Sequence, residues 1–229
     1  MTTRETYSNG HLTAKPNTTN TKEDVPAGTY PLKLAAKRDG VIYVPKGYNK
    51  SKPAAFALML HGAGGNADHG LGLIKSYADA HNIIIVSPAS RLGTWDIIAR
   101  DVFDADVVFI DQALNQAFDR FNIDTTKIAI GGFSDGASYA LSLGLGNGNL
   151  FTHIIAFSPG FYHTTEQRGK PPVFISHGVK DHVLPIDPCS RRIVPRLKSQ
   201  GYNVEYKEFD GEHQIPASIS KSAITWFLK

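Results

Sequence analysis

The sequence is poor in cysteine: Cys189 is the only one, so no disulfide can form within a single chain. That suits a reducing compartment and leads us to expect a cytoplasmic protein. Long apolar runs are also missing, and none approaches the roughly 20 residues needed to cross a bilayer. Residues 1–10 lack the apolar stretch of a secretory signal. Charge of one sign is not in excess: 24 Lys and Arg stand against 21 Asp and Glu, a net charge of +3. The basic residues are scattered rather than striped, so nucleic-acid binding is not expected. Neither H-x-x-x-H nor H-E-x-x-H occurs, so the histidines predict no metal site. What the chain has is 229 residues with 41% hydrophobic and 20% charged side chains, enough for a sizeable core.

Residues 1–26 are rich in Thr, Asn, Ser and Lys and carry almost no large apolar side chains. They bury too little surface to offset their ordering entropy and are expected to form a flexible N-terminal tail. A Thr-rich organelle leader is a second reading, against which Glu5, Glu23 and Asp24 weigh. From residue 27 to 229 no composition break appears, which predicts one domain.

Within it, Tyr30, Leu32 and Leu34 alternate, and Val41–Val44 is strand-like, with Asp39-Gly40 between them to suit a hairpin. Ala54–Leu60 and Ile83–Val86 are continuous apolar runs, as expected of strands covered on both faces. A helix is predicted over about 70–81, and a loop over 92–96. The clearest helix is 101–122, where Phe103, Val107, Ile110, Leu114, Ala117 and Phe121 recur at spacings of three and four. Further strands are expected at Ile154–Phe157, Val173–Ser176 and Val204–Phe209. Asp187-Pro188 reads as a capped helix start, with Pro195 as a kink or break inside that helix. Ile219, Ala223 and Trp226 or Phe227 fit a C-terminal helix. Strands alternating with helices predict an α/β fold with a mostly parallel central sheet and helices on both faces.

The most informative stretch is Gly131-Gly132-Phe133-Ser134-Asp135-Gly136-Ala137-Ser138. It follows the apolar run Ile128-Ala129-Ile130 and precedes a helix-compatible one. Strand, tight turn and helix are the context that gives G-x-S-x-G its meaning, because such a turn pushes the Ser134 hydroxyl out above the strand end. Ligands of open α/β sheets bind beyond the carboxyl ends of the strands. Two more reactive groups fall there: Asp181 after one strand and His213 after the last. Each separation leaves room for a helix and a strand. A serine hydroxyl needs a base to take its proton; His213 is the candidate base and Asp181 the carboxylate that orients it. The backbone N–H groups of Ala63 and Asp135 are the candidate oxyanion donors. Asp187 rivals Asp181 but suits a helix cap better, and Asp210 and Glu212 are too near His213 in sequence. His177 and His182 are expected to be structural or to rim a pocket, and His61 to shape the oxyanion loop. Trp95, Phe161, Tyr162 and Leu184 lie near strand ends and could wall a substrate pocket or simply pack at the domain edge.

Four pieces together carry a resemblance: His61-Gly62-Ala63-Gly64, Gly132-Phe133-Ser134-Asp135-Gly136, His177-Gly178-x-x-Asp181-x-Val183-x-Pro185 and Gly211-x-His213-x-x-Pro216. The chain resembles the phospholipase/carboxylesterase branch of the α/β-hydrolases. The resemblance implies the α/β-hydrolase fold and hydrolysis of esters or thioesters through an acyl-enzyme, with no metal and no organic cofactor. One departure narrows it. Acyl-protein thioesterases and their near relatives usually have Gln after the nucleophile, whereas Asp135 stands here, followed by Gly136-Ala137, which is closer to polyester-depolymerase-like and feruloyl-esterase-like members. The expectation is therefore a serine esterase acting on small, soluble esters. An acyl thioesterase, or a ligand-binding protein of the same fold, is the alternative. Only 15 residues separate Phe157 from Val173, Ser158 to Pro172, and Pro159, Gly160, Gly169, Pro171 and Pro172 interrupt them. No large helical lid is expected there. The sequence leaves the oligomeric state open.

Overall fold

The computed structural model describes residues 7–17 and 22–229. Eight strands form one sheet: β1 (Gly28–Pro31), β2 (Gly40–Val44), β3 (Ala54–Leu60), β4 (Ile83–Pro88), β5 (Ile123–Phe133), β6 (His153–Phe157), β7 (Val173–Gly178) and β8 (Val204–Phe209). Their order is β1-β2-β4-β3-β5-β6-β7-β8. β1 pairs with β2, and β2 with β4, in antiparallel fashion; every other pairing is parallel. Seven helices are seen among the described residues: α1 (Ala67–Gly72), α2 (Lys75–His81), α3 (Asp96–Arg100), α4 (Ala105–Arg120), α5 (Asp135–Gly146), α6 (Ser190–Ser199) and α7 (Ala217–Phe227). None is long and apolar enough to cross a membrane.

β3 explains the layering. All seven of its residues are buried. Successive side chains of a strand point to opposite faces. Phe56, Leu58 and Leu60 therefore join a core with α4, α5 and α6, while Ala55, Ala57 and Met59 join a second core with α1, α2 and α7. A strand covered on both sides has no reason to alternate in polarity. The chain winds to one side of β3 through β4 and to the other from β5 onward, so the switch point lies between β3 and β5.

Four expectations are corrected. The helix expected over 70–81 is two helices, α1 and α2, with Leu73 and Ile74 between them. The α4 stripe is as read, but the helix starts at Ala105 rather than near 101. Asp187 caps nothing; α6 begins at Ser190, and the Asp187 carboxylate accepts from Arg191 at 2.9 Å. Pro195 does not break α6. Ile193, Val194 and Leu197 on either side of it are buried, and this packing holds the helix across the missing N–H.

The N-terminal tail reading also fails for the residues described. His11 and Ala14 are buried. Asp111 of α4 accepts four hydrogen bonds from this segment: from the Tyr7 hydroxyl at 2.9 Å, the Thr13 N–H at 2.8 Å, the Thr13 hydroxyl at 2.5 Å and the Ala14 N–H at 2.8 Å. Asn147 accepts from the Leu12 N–H and donates to the Gly10 carbonyl, each at 2.8 Å. The Lys22 ammonium donates to the Phe118 carbonyl at 2.8 Å. Ala14 joins the core, Tyr7, Leu12 and Val25 pack against it, and the polar bonds, which composition does not register, fix the segment in place. Residues 1–6 and 18–21 lie outside the described residues.

Candidate active site

Ser134 sits at the carboxyl end of β5, beside the switch point, with φ 58° and ψ −123°. That region strains any residue with a Cβ. The turn leaves no room at the flanking glycines. A Cβ at Gly132 would lie 2.4 Å from the Gly136 carbonyl, and one at Gly136 would lie 2.3 Å from the Leu60 carbonyl. Strand β5, helix α5 and the end of β3 therefore approach closer than any side chain permits. The Ser134 N–H is fixed by the Phe157 carbonyl at 2.9 Å.

Three elements deliver three side chains to one line. The Ser134 hydroxyl donates to Nε2 of His213 at 2.8 Å. Nδ1–H of His213 donates to Oδ2 of Asp181 at 2.6 Å. The other Asp181 oxygen, Oδ1, accepts from the Val183 and Leu184 N–H groups at 2.9 and 2.8 Å. Burial pushes the Asp181 carboxyl up, but the bonds from His213, Leu184 and Val183 outweigh it and hold it below the ordinary carboxylate range. Asp181 is therefore ionised where His213 meets it. The Phe133 ring lies 4.6 Å from the His213 ring and supports its face.

His177 backs this line from beneath. It is fully buried at the end of β7. Its Nε2–H faces the Leu184 carbonyl at 2.7 Å and Oδ2 of Asp181 at 3.2 Å, while Nδ1 accepts from the Ser190 hydroxyl at 2.7 Å. Burial lowers its pKa, against smaller opposing effects of Leu184 and Asp181, so the ring is neutral. It braces the loop that carries Asp181. His182 is exposed.

Two loops face Ser134 from the β3 side. Among the described residues no backbone hydrogen bond uses the N–H of Ala63 or of Asp135. Both are left free to donate. His61 shapes the first loop: Nε2 accepts from the Ser90 N–H at 2.9 Å, which puts the proton on Nδ1, facing the Gly62 carbonyl at 2.7 Å. The Gly64 N–H donates to the Gly93 carbonyl at 2.7 Å. Thr94, next along, donates to the Asp135 carboxylate at 2.5 Å.

Of the four candidate pocket residues, Trp95 is corrected. It has no exposed surface and cannot wall an open pocket. Its indole N–H donates to the His61 carbonyl at 2.9 Å, and its ring stacks on Tyr139 at 5.0 Å. It is a buried prop under the loop that begins at His61. Phe161 is 39% exposed and, with Tyr162, lines a cleft. Leu184 is half-buried and packs toward Gly160. The sequence reading missed Thr94, Ser138 and Ser142. The Ser138 hydroxyl accepts from the Gly160 N–H and the Ser142 hydroxyl from the His163 N–H, each at 2.9 Å, which ties the segment after β6 to α5. Serines four apart in a buried helix were the one available signal. From Ser158 to Pro172 the chain forms neither helix nor strand.

This sheet order, with a strained serine after β5 and carboxylate and imidazole after β7 and β8, is the α/β-hydrolase fold. The chain belongs to the phospholipase/carboxylesterase family, whose pattern residues 101–228 match. It is 28% identical over 158 residues to a probable feruloyl esterase C of Aspergillus oryzae, covering 66% of this chain and 57% of that one. It is 26% identical over 163 residues to a bifunctional acetylxylan esterase/xylanase of Neocallimastix patriciarum, covering 68% of this chain and 23% of that one. The chain thus spans little more than half the length of the first relative and under a quarter of the second. Among solved structures, the fold is shared with a ferulic acid esterase of Anaeromyces mucronatus in complex with ferulic acid. The TM-score is 0.64 at 20% identity, over 94% of this chain and 96% of that one.

Proposed function

We propose that this protein hydrolyses carboxylic esters through an acyl-enzyme formed on Ser134. The observation that carries the reading is the unbroken line Ser134 Oγ, His213 Nε2, His213 Nδ1, Asp181 Oδ2, with both bonds under 3 Å. The relatives, a probable feruloyl esterase and an acetylxylan esterase/xylanase, support the same reaction class. In the first half-reaction His213 Nε2 takes the Ser134 proton as Oγ attacks the ester carbonyl carbon. The oxyanion is met by the N–H groups of Ala63 and Asp135. As the intermediate collapses, the alkoxide leaves with the proton from His213, and the acyl group stays on Oγ. Water repeats the sequence: His213 takes its proton, the acyl group departs as the acid, and Ser134 recovers its hydrogen. Asp181 remains ionised throughout and stabilises the imidazolium.

A segment after β6 without a helix favours an open site and small, soluble substrates. The test is a panel of chromogenic esters of graded acyl length beside matching acyl-CoA thioesters, with fluorophosphonate labelling read by mass spectrometry. Turnover of short esters and one adduct on Ser134 are expected. Preference for the thioesters would make the protein a thioesterase. An adduct on another serine, or none on folded protein, would overturn the assignment.

A further inference from the structure

The geometry points to a subsite beside Ser134 that holds an anionic group of the substrate, with Arg192 and Arg196 as its receptors. The inference rests on the esterase reading above. A cleft of about 210 Å³ is lined by Gly160, Phe161, Tyr162, Ile193, Arg192 and Arg196. Its Gly160 end is linked to Ser134 through one residue, Ser138. The Gly160 N–H is held by the Ser138 hydroxyl at 2.9 Å, and that hydroxyl donates to the Ser134 carbonyl at 3.3 Å. On the other side Leu184, whose N–H holds Asp181, packs against the position of Gly160. The cleft therefore begins at the segment that flanks both Ser138 and the Asp181 loop.

The charges of the cleft are not neutralised within the described residues, and Arg192 lacks an internal explanation. Arg192 and Arg196 are exposed and stand four apart on α6, on one face. Neither makes an ion pair among the described residues; Arg191 takes both Asp187 and Glu208. The helix dipole favours a cation in the last turn, which accounts for Arg196. Arg192 is the third residue of the helix, where the same dipole disfavours a cation. Glu166, the acid in the neighbouring cleft that shares Tyr162 and Arg196, is already engaged by Arg168 at 3.1 Å. The Arg196 guanidinium lies 4.8 Å from the Tyr162 ring centroid, which holds it at the rim. An apolar floor ending in two unpaired guanidiniums suits a short carbon spacer ending in a carboxylate. The substrate class is therefore an ester with a carboxylate a few carbons from the scissile bond.

The test compares matched pairs. On the acyl side, mono-4-nitrophenyl glutarate is set against 4-nitrophenyl pentanoate. On the alcohol side, 4-acetoxybenzoate is set against its methyl ester. In at least one pair the anionic member should have the higher kcat/KM, by about tenfold, mostly through KM, and the advantage should shrink in 0.5 M salt as screening rises. In R192Q/R196Q the ratio should fall to about one; a ratio on one sample is insensitive to any loss of folded protein. A ratio near one for both pairs in the wild type, or a preference that survives in the double variant, overturns the subsite while leaving the esterase intact. If no ester turns over, the esterase reading fails instead. Calorimetry of the glutarate monoester with S134A then decides the subsite alone: tighter binding than of the pentanoate, lost with both arginines, is expected, and equal binding refutes it.

Discussion

The hydroxyl of Thr94 donates a 2.5 Å hydrogen bond to the carboxylate of Asp135. One bond thereby joins the start of α5 to the loop whose Gly93 carbonyl holds Gly64. The two candidate oxyanion donors, Ala63 and Asp135, come from the two sides of that tie. T94V keeps the shape and removes the donor. It should lower kcat by about 3- to 30-fold with little change in KM, since donors for an oxyanion act in the transition state, and T94S should restore most of the rate. Wild-type kinetics in T94V would dissociate the tie from catalysis.

His213 is the second target. H213A removes the base while leaving the strands in place. Its kcat/KM should fall by about three orders of magnitude or more, with an unchanged circular dichroism spectrum. Near-normal turnover would mean that another group takes the Ser134 proton. Neutral, buried His177 would then need to be tested.

Asp111 anchors the N-terminal segment through four accepted hydrogen bonds. D111A leaves their donors without an acceptor, at about 1–3 kcal/mol for each group that water cannot reach. The variant should be cut by protease within residues 7–17 faster than the wild type and unfold at lower denaturant. Equal cleavage rates would show that other contacts hold the segment.

Much of this was legible from the chain because the relevant signals are local. Ala54–Leu60 reads as a central strand since every side chain in it is apolar. That Ser134, Asp181 and His213 come together is legible because each follows a strand within a few residues. The rest depends on partners distant in sequence. Thr13 meets Asp111 and Trp95 meets His61 across the fold, and an isolated polar or aromatic residue in a loop does not reveal the direction of its side chain. The break at Leu73-Ile74 was invisible for a related reason. Ile74 is buried in the core with Ala78, and periodicity alone does not distinguish one helix from two sharing a face.

Stability against pH has a definite sign at His153. Burial first, and Lys127 second, push its pKa down to about 4. Between that value and the ordinary ~6.5 the unfolded chain binds a proton that the folded one refuses, so stability is lost as pH falls through this window. Asp106, raised to about 6 by burial, opposes the trend below pH 6. The wild-type slope also carries the other shifted groups, among them the buried His61 and His177 and Asp96, and H153Q isolates the contribution of this histidine. Its denaturant midpoint should decline less between pH 6.5 and 4.5 than that of the wild type. An equal or steeper decline would place the acid sensitivity elsewhere.

The backbone at Ser134 sets stability against use. A φ of 58° with ψ −123° is glycine's territory, and holding a residue there costs of order 1–3 kcal/mol. S134G should be inert toward every ester, yet its melting temperature should be higher by about 2–4 °C if roughly 1 kcal/mol survives the entropy a glycine adds to the unfolded chain. A lower melting temperature would mean that the serine's own bond to His213 outweighs the strain. Under selection for folding alone, drift would carry this position to glycine. The serine persists there only as long as its hydroxyl has work to do.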